Sequence, residues 1–268
     1  MIFALSDIHG HFHQLRRRIS QLEHLESFAA GKDTLVLLGD YINRGKFSYR
    51  TLEFIWKLTQ ASKNNLVVLR GNHEDDFLEF IDGDDTWLSA DKGLRTVGGF
   101  LIPEEEECIK ELAQGGKFAE VSDYVRSCIK ERHAPLLHWL RKLPYYYESE
   151  KQIFVHAGVD EEAEEDWKWG TADYFFVGKY PPTTGWFYKD IIAGHTSAKS
   201  VSGNPDHKGI YWDGQSHYFI DGGADQGGRL LCLAYDEETG RYYELLPTDR
   251  LSAILKAGRV VYDEFIPL

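Results

Sequence analysis

The sequence predicts an α/β fold whose chemistry sits at the carboxyl ends of its strands, and three observations carry that prediction. Leu35-Val36-Leu37-Leu38 is a short apolar run that stops at Gly39-Asp40-Tyr41-Ile42-Asn43-Arg44-Gly45, so a strand covered on both faces delivers a carboxylate, an amide and a guanidinium. The design recurs: Ile2 to Leu5 runs into Ser6-Asp7-Ile8-His9-Gly10, and Leu66 to Leu69 runs into Arg70-Gly71-Asn72-His73-Glu74. Segments with helical spacing separate these runs, which implies parallel strands joined by right-handed crossovers.

In chain order, Phe12, Leu15, Ile19 and Leu22 mark one face of a helix from His11 to about Glu23. His11 and His13 lie on it but turn away from His9, so they are expected to face solvent or to stand behind the ligands rather than to be ligands. Leu52, Ile55, Trp56 and Thr59 mark a second helix. From about residue 75 to 144 the pattern offers helices and no convincing strand, as in an inserted helical region. Pro103 followed by Glu104 to Glu107 is a helix start, because proline is tolerated in the first turn and carboxylates favour its positive end. Phe118, Val121, Val125 and Cys128 define a second inserted helix, and Leu136, Leu137 and Leu140 a third.

Tyr145-Tyr146-Tyr147 precedes a strand and is expected to be structural. Ile153 to Val155 then ends in His156-Ala157-Gly158, and Ile191 to Ala193 in Gly194-His195-Thr196, so five strand ends are expected along one edge. Between them, Asp160 to Asp166 is strongly acidic and suits a surface loop or helix start. The remainder has hairpin grammar at Ile210 to Trp212, His217 to Ile220, Leu230 to Tyr235 and Tyr242 to Leu246, which would form a second sheet. His207 and His217 lack matching ligand spacing and are expected to be satisfied locally.

A chain of 268 residues suits one large domain spanning 1–268. Its net charge of −13 argues against binding a nucleic-acid backbone. Cys108, Cys128 and Cys232 have no paired spacing, no apolar run approaches a membrane span, and the first is too short for a signal-peptide core. A cytoplasmic protein with reduced thiols and no membrane partner is the expectation.

Asp, His and Asn at converging strand ends offer oxygen and imidazole donors that suit Mn, Fe or Zn, and a two-metal hydrolytic site is the natural inference. Asp7-Ile8-His9-Gly10, Gly39 to Gly45, Leu69 to Glu74, His156-Ala157-Gly158 and Gly194-His195 together resemble, in content and order, the PPP phosphoprotein phosphatases of the calcineurin-like metallophosphoesterase superfamily. The resemblance spans most of Met1 to Asp221. It implies a sandwich of two mixed sheets flanked by helices, with two divalent metal ions, Mn foremost. Asp7 and His9 would hold one ion, Asn72, His156 and His195 the other, and Asp40 would bridge them. A hydroxide bridging the metals would attack a phosphate monoester, with Arg44 clamping the phosphoryl oxygens and His73 as general acid. Arg70 could reach either phosphate or a structural carboxylate.

Two departures from the family pattern bear on activity. Asn43 stands where an aspartate usually supports the general-acid histidine, and Trp169-Gly170-Thr171-Ala172 lacks the second phosphate-binding arginine, for which Lys168 or Arg50 could substitute. The first expectation is a serine/threonine or tyrosine phosphoprotein phosphatase, acting on a phosphorylated protein or a small phosphate ester. The alternatives are a diadenosine tetraphosphate hydrolase and a non-catalytic phosphate-sensing module.

Overall fold

The computed structural model describes residues 1–62, 65–90, 95–247 and 265–268. Its strands form two mixed sheets. The first has the order β11(Phe265–Pro267), β10(Arg241–Leu245), β9(Leu233–Asp236), β1(Ile2–Leu5), β2(Thr34–Leu37), β3(Leu66–Val68). Here β1, β2 and β3 run parallel, and β9 pairs antiparallel with β1, Phe3 opposite Ala234. The second sheet has the order β4(Tyr146–Glu148), β5(Gln152–Val155), β6(Asp190–Ala193), β8(His217–Phe219), β7(Tyr211–Trp212).

The strands' two-residue period explains the layering. On β1, Ile2 and Ala4 join Val36, Phe154, Ile192, Tyr218 and Leu233 in the core between the sheets. Phe3 and Leu5 point the other way, into a core shared with the helices. On the outer side of the second sheet, Ile153, Val155 and Ile191 pack on Trp167 and Phe176. This is the expected sandwich, with one correction. The four C-terminal hairpin segments do not make a sheet of their own: β9 and β10 extend the first sheet, while β7 and β8 complete the second. Local alternation identifies such strands but not their partners, since either sheet could bury their apolar faces.

α1(Phe12–Glu23) buries Phe12, Leu15, Ile19 and Leu22, as its spacing requires, and also Arg18. That guanidinium donates to the carbonyls of Leu230 (2.9 and 2.7 Å) and Leu245 (2.9 Å), tying the helix to the chain around β9 and β10. α2(Glu26–Ala29) is one turn, and α3(Ser48–Ala61) buries Leu52 and Ile55. Between β3 and β4 the described chain is helical, with α4(Asn72–Asp82), α5(Thr86–Ala90), a 3-10 turn at Val97–Phe100, α6(Pro103–Gln114), α7(Phe118–Arg132) and α8(Ala134–Leu140). Pro103 opens α6, and Glu105 reaches back to the Ile102 N–H at 3.0 Å and pairs with Arg132. Phe118, expected on the buried face of α7, is the helix's first residue and is 71% exposed.

Tyr146 and Tyr147 belong to β4 itself rather than preceding a strand. The acidic stretch forms a 3-10 turn at Glu161–Asp166, before α9(Trp167–Gly170) and α10(Asp173–Gly178). It is not all surface, since Glu161 pairs with Lys179 and lies 3.4 Å from His217. His217 is otherwise satisfied by the Gly185 carbonyl at 3.0 Å and Asp213 at 3.2 Å. α11(Ala198–Ser202) follows β6. Among the described residues no helix is long and apolar enough to cross a membrane.

Candidate metal centre

The loops leaving β1, β2, β3, β5 and β6 meet where the two sheets come together, so the five ends belong to two facing sheets rather than to one edge. Backbone strain is concentrated there. Of the seven non-glycine residues with positive φ among the described residues, six are Asp7, His9, Asp40, Asn43, Arg44 and His195. Such residues cost free energy that the surrounding packing must offset, and they commonly mark functional sites. The loops also interlock. A Cβ on Gly39 would lie 2.5 Å from the Gly71 nitrogen, and one on Gly194 would lie 2.2 Å from Asp7 Oδ2.

Asp40 is the hub. His156 Nε2 lies 3.3 Å from its Oδ1, while His9 Nε2 and His73 Nε2 lie 3.5 and 3.7 Å from its Oδ2. Two groups of donor atoms with ligand-like spacing share it: His9, Asp40 and His73 on one side, Asp40, His156 and His195 on the other. Asp7 Oδ1 is 3.7 Å from His9 Nε2, and its Oδ2 accepts the His195 N–H at 3.0 Å. Asn72 Oδ1 lies 3.2 Å from His156 Nε2 and 3.1 Å from His195 Nδ1.

The imidazoles are aimed by carbonyls. His9 Nδ1–H donates to Ile42 O and His156 Nδ1–H to Leu38 O, each at 3.0 Å, so both Nε2 atoms face the shared carboxylate. His9 Nε2 is buried and has no hydrogen-bond partner. A buried nitrogen lone pair facing carboxylates suits a cation, and the oxygen and imidazole donor set suits a divalent one.

The charges agree. Burial holds His9 and His195 down to about 4, so both are neutral imidazoles. Burial opposes charge on His156 too, but Asp40 beside it outweighs this and lifts it to about 9. Asp40 is held well below the carboxylate range: burial would raise it, and His156, His73 and His9 more than compensate. Asp7 is pushed well up by burial and by the charge of Asp221, which burial itself raises to about 6.

At the mouth, Arg44 Nη1 pairs with Asp225 Oδ2 at 3.1 Å, and Arg44 Nη2–H points to His73 Nε2 at 3.3 Å. His73 Nδ1–H donates to Asn43 Oδ1 at 2.9 Å, and Asn43 Nδ2 donates to Thr96 Oγ1 at 3.0 Å. Burial lowers His73; Asp40 works against this, and Arg44 and His156 reinforce it.

Three further basic residues, Arg70, Lys168 and Arg50, are engaged by protein groups. Arg70 donates to Asp75 (2.9 Å), the Tyr145 hydroxyl (3.2 Å) and the Arg141 carbonyl (2.5 Å). Lys168 pairs with Glu148, and the Arg50 guanidinium stacks over the Phe12 ring at 4.3 Å. Thr171, in the segment without the arginine, accepts the Asp160 N–H at 2.8 Å.

Sequence reasoning gave no role to Glu74, Asp221 or Asp225. Glu74 is fully buried and accepts the N–H groups of Asp40 (2.8 Å), Tyr41 (2.8 Å), Ile42 (3.3 Å) and Gly71 (3.1 Å), which fixes the loop carrying the hub. Burial, and then Asp40, raise it to about 7 against those hydrogen bonds. Asp221 and Asp225 follow β8, and the signal for them was present: Phe219-Ile220 running into Asp221-Gly222 repeats the design of the other strand ends.

A metal-ligand hub between two sheets defines a class, the metallophosphoesterases, and comparison with known proteins agrees. The family model for calcineurin-like phosphoesterases matches residues 1–226, and the chain belongs to that family. Among curated proteins, the symmetrical bis(5'-nucleosyl)-tetraphosphatase of Methylobacillus flagellatus is 29% identical over 157 residues, 59% of this chain and 43% of that protein. The Vibrio campbellii protein of the same name is 31% identical over 123 residues, 46% of this chain and 42% of its own. The chain thus spans under half the length of the curated relatives it matches. Among solved structures, the cold-active protein tyrosine phosphatase of a psychrophilic Shewanella species superposes with a TM-score of 0.55 at 17% identity, covering 91% of this chain and 77% of that one. A protein proposed to be a diadenosine tetraphosphatase does so with 0.52 at 17% identity, covering 91% of each. These likenesses show the fold.

Proposed function

We propose that this chain hydrolyses the phosphoanhydride of a dinucleoside polyphosphate such as diadenosine tetraphosphate, in place of the phosphoprotein reading that the motifs first suggest. The curated relatives support this substrate class. The observation in the site that carries it is the pairing of His73 with an amide. Because Nδ1–H is committed to Asn43 Oδ1, Nε2 holds a transferable proton only when the ring is cationic, and Asn43 supplies no negative charge to favour that form. A weakly protonated acid serves a stable leaving group such as a nucleoside diphosphate, and serves a seryl alkoxide poorly.

Asp7 and His9 would hold one divalent ion, Asn72, His156 and His195 a second, with Asp40 shared and Mn the proposed metal. Bound there, the ions would make water nucleophilic at neutral pH and offset phosphoryl charge. Arg44, released from Asp225, clamps the phosphoryl oxygens with its planar fork. His73 faces the departing oxygen, and Glu74 keeps the Asp40 loop from relaxing. The test is a side-by-side assay of the Mn-loaded protein on diadenosine tetraphosphate, a phosphotyrosine peptide and a phosphoserine peptide. The highest kcat/KM is expected on the dinucleotide, with ADP as the sole nucleotide product. Preference for either peptide would refute the proposal.

A further inference from the structure

Behind Asp221 lies a cavity of about 660 Å³, bounded by α11 and the loop after it on one side and by the glycine-rich loop after β8 on the other. It adjoins the metal centre through two links. Ser197, at its wall, is two residues beyond His195, and the Ala198 N–H donates to Asp221 O at 2.9 Å. Its size falls within the range of small-molecule sites, roughly 300–1,000 Å³.

Its chemistry is unusual for this chain. In a protein with net charge −13, Lys199, Lys208 and Arg229 all line one cavity. Glu244 neutralises Arg229, but among the described residues the ammonium groups of Lys199 and Lys208 have no ion-pair partner. His207, between them, has a buried Nε2 with no hydrogen-bond partner. The single carboxylate on the wall, Asp221, sits at the metal end, where its Oδ1 accepts the Gly223 N–H at 2.8 Å. The cavity is therefore cationic away from the metals, and the His207 ring, held edge-on to Tyr211, gives it an aromatic wall that a base can pack against.

We propose that this cavity binds a nucleoside phosphate: the half of a dinucleoside polyphosphate that lies beyond the scissile bond, with Lys199 and Lys208 on its phosphates and His207 on the remainder. This rests on the function proposed above. It accounts for how an acidic chain without a second phosphate-binding arginine holds a polyanion: the cations are placed along the ligand's length rather than at the reacting phosphorus.

The test separates the two readings. Calorimetry of the Mn-loaded protein measures the affinity for ADP and for inorganic phosphate, in the wild type and in the Lys199→Ala/Lys208→Ala and His207→Ala variants, with thermal melting to verify folding. ADP is expected to bind more tightly than phosphate. The double variant should lose about ten-fold or more in ADP affinity, with a much smaller change for phosphate, and KM for diadenosine tetraphosphate should rise by a similar factor with kcat changing less. Equal ADP affinity in wild type and double variant, or equal losses for ADP and phosphate, would overturn the cavity assignment even if the dinucleotide is cleaved. If the dinucleotide is not cleaved, the proposed function fails, while selective loss of ADP binding in the variants would still establish a nucleotide site here.

Discussion

Replacing Asn43 by aspartate changes one atom and adds one charge. The backbone tolerates it: Asn43 sits at φ +64°, a left-handed conformation that Asp adopts as readily as Asn. With the acceptor 2.9 Å from His73 Nδ1, placing the charge centres about 4 Å apart gives roughly 4 kcal/mol of attraction for imidazolium at an effective dielectric of about 20. The Asn43 amide oxygen already supplies about half of that attraction through its own dipole, which leaves a gain of roughly 2 kcal/mol for the cation. Because burial keeps the ring below its ordinary value, the cationic fraction at neutral pH grows by at most about thirty-fold, while the acid weakens. With half-complete proton transfer, that weakening costs about a factor of six. The net gain is at most about five-fold in kcat/KM for an alkyl phosphate, against less than about two-fold for an aryl phosphate whose leaving group needs no proton. The assay compares glycerol phosphate with p-nitrophenyl phosphate in the two proteins. An equal change on both substrates, or no change on either, would refute the reasoning.

Asp40→Ala should abolish turnover and lower bound metal, read by elemental analysis, because both donor groups lose their shared ligand. Glu74→Gln should lower stability by about 1–3 kcal/mol in urea titration and reduce metal retention, because its amide turns donors toward N–H groups that need an acceptor. For Glu161, burial would raise the carboxyl, but His217 and Lys179 outweigh it and hold it below the ordinary glutamate value. A carboxylate lowered by folding stabilises above its unfolded pKa, and that stability is lost as pH falls through the folded one. Glu161→Gln should therefore cost about 1–3 kcal/mol at neutral pH, with the deficit closing below about pH 4. A deficit that persists at acid pH would point to lost packing instead.

What the sequence made legible was whatever a short window encodes. Apolar runs that end in Asp, His and Asn mark strand ends, and residues such as Asp7, His9, Asp40, Asn72, His156 and His195 do meet in one cluster. Partnership between distant segments was not legible. The expectation of a separate C-terminal sheet failed because Leu233 to Asp236 can satisfy its ladder beside β1 as well as beside a neighbouring hairpin. Arg70 illustrates the same limit, since whether it meets a phosphate or a carboxylate depends on Asp75, Tyr145 and Arg141 arriving from different helices and loops. Glu74 lay inside a recognised motif, yet its role rests on four amides from two loops, which a linear reading does not bring together.

The most direct test of the central claim, that Asp40 joins two metal sites, is metal counting combined with electron paramagnetic resonance on the Mn-reconstituted protein. Two Mn per chain with an exchange-coupled spectrum are predicted, because one carboxylate shared between the two donor groups holds the ions within coupling distance. A single Mn per chain, or two Mn ions with uncoupled spectra, would contradict it.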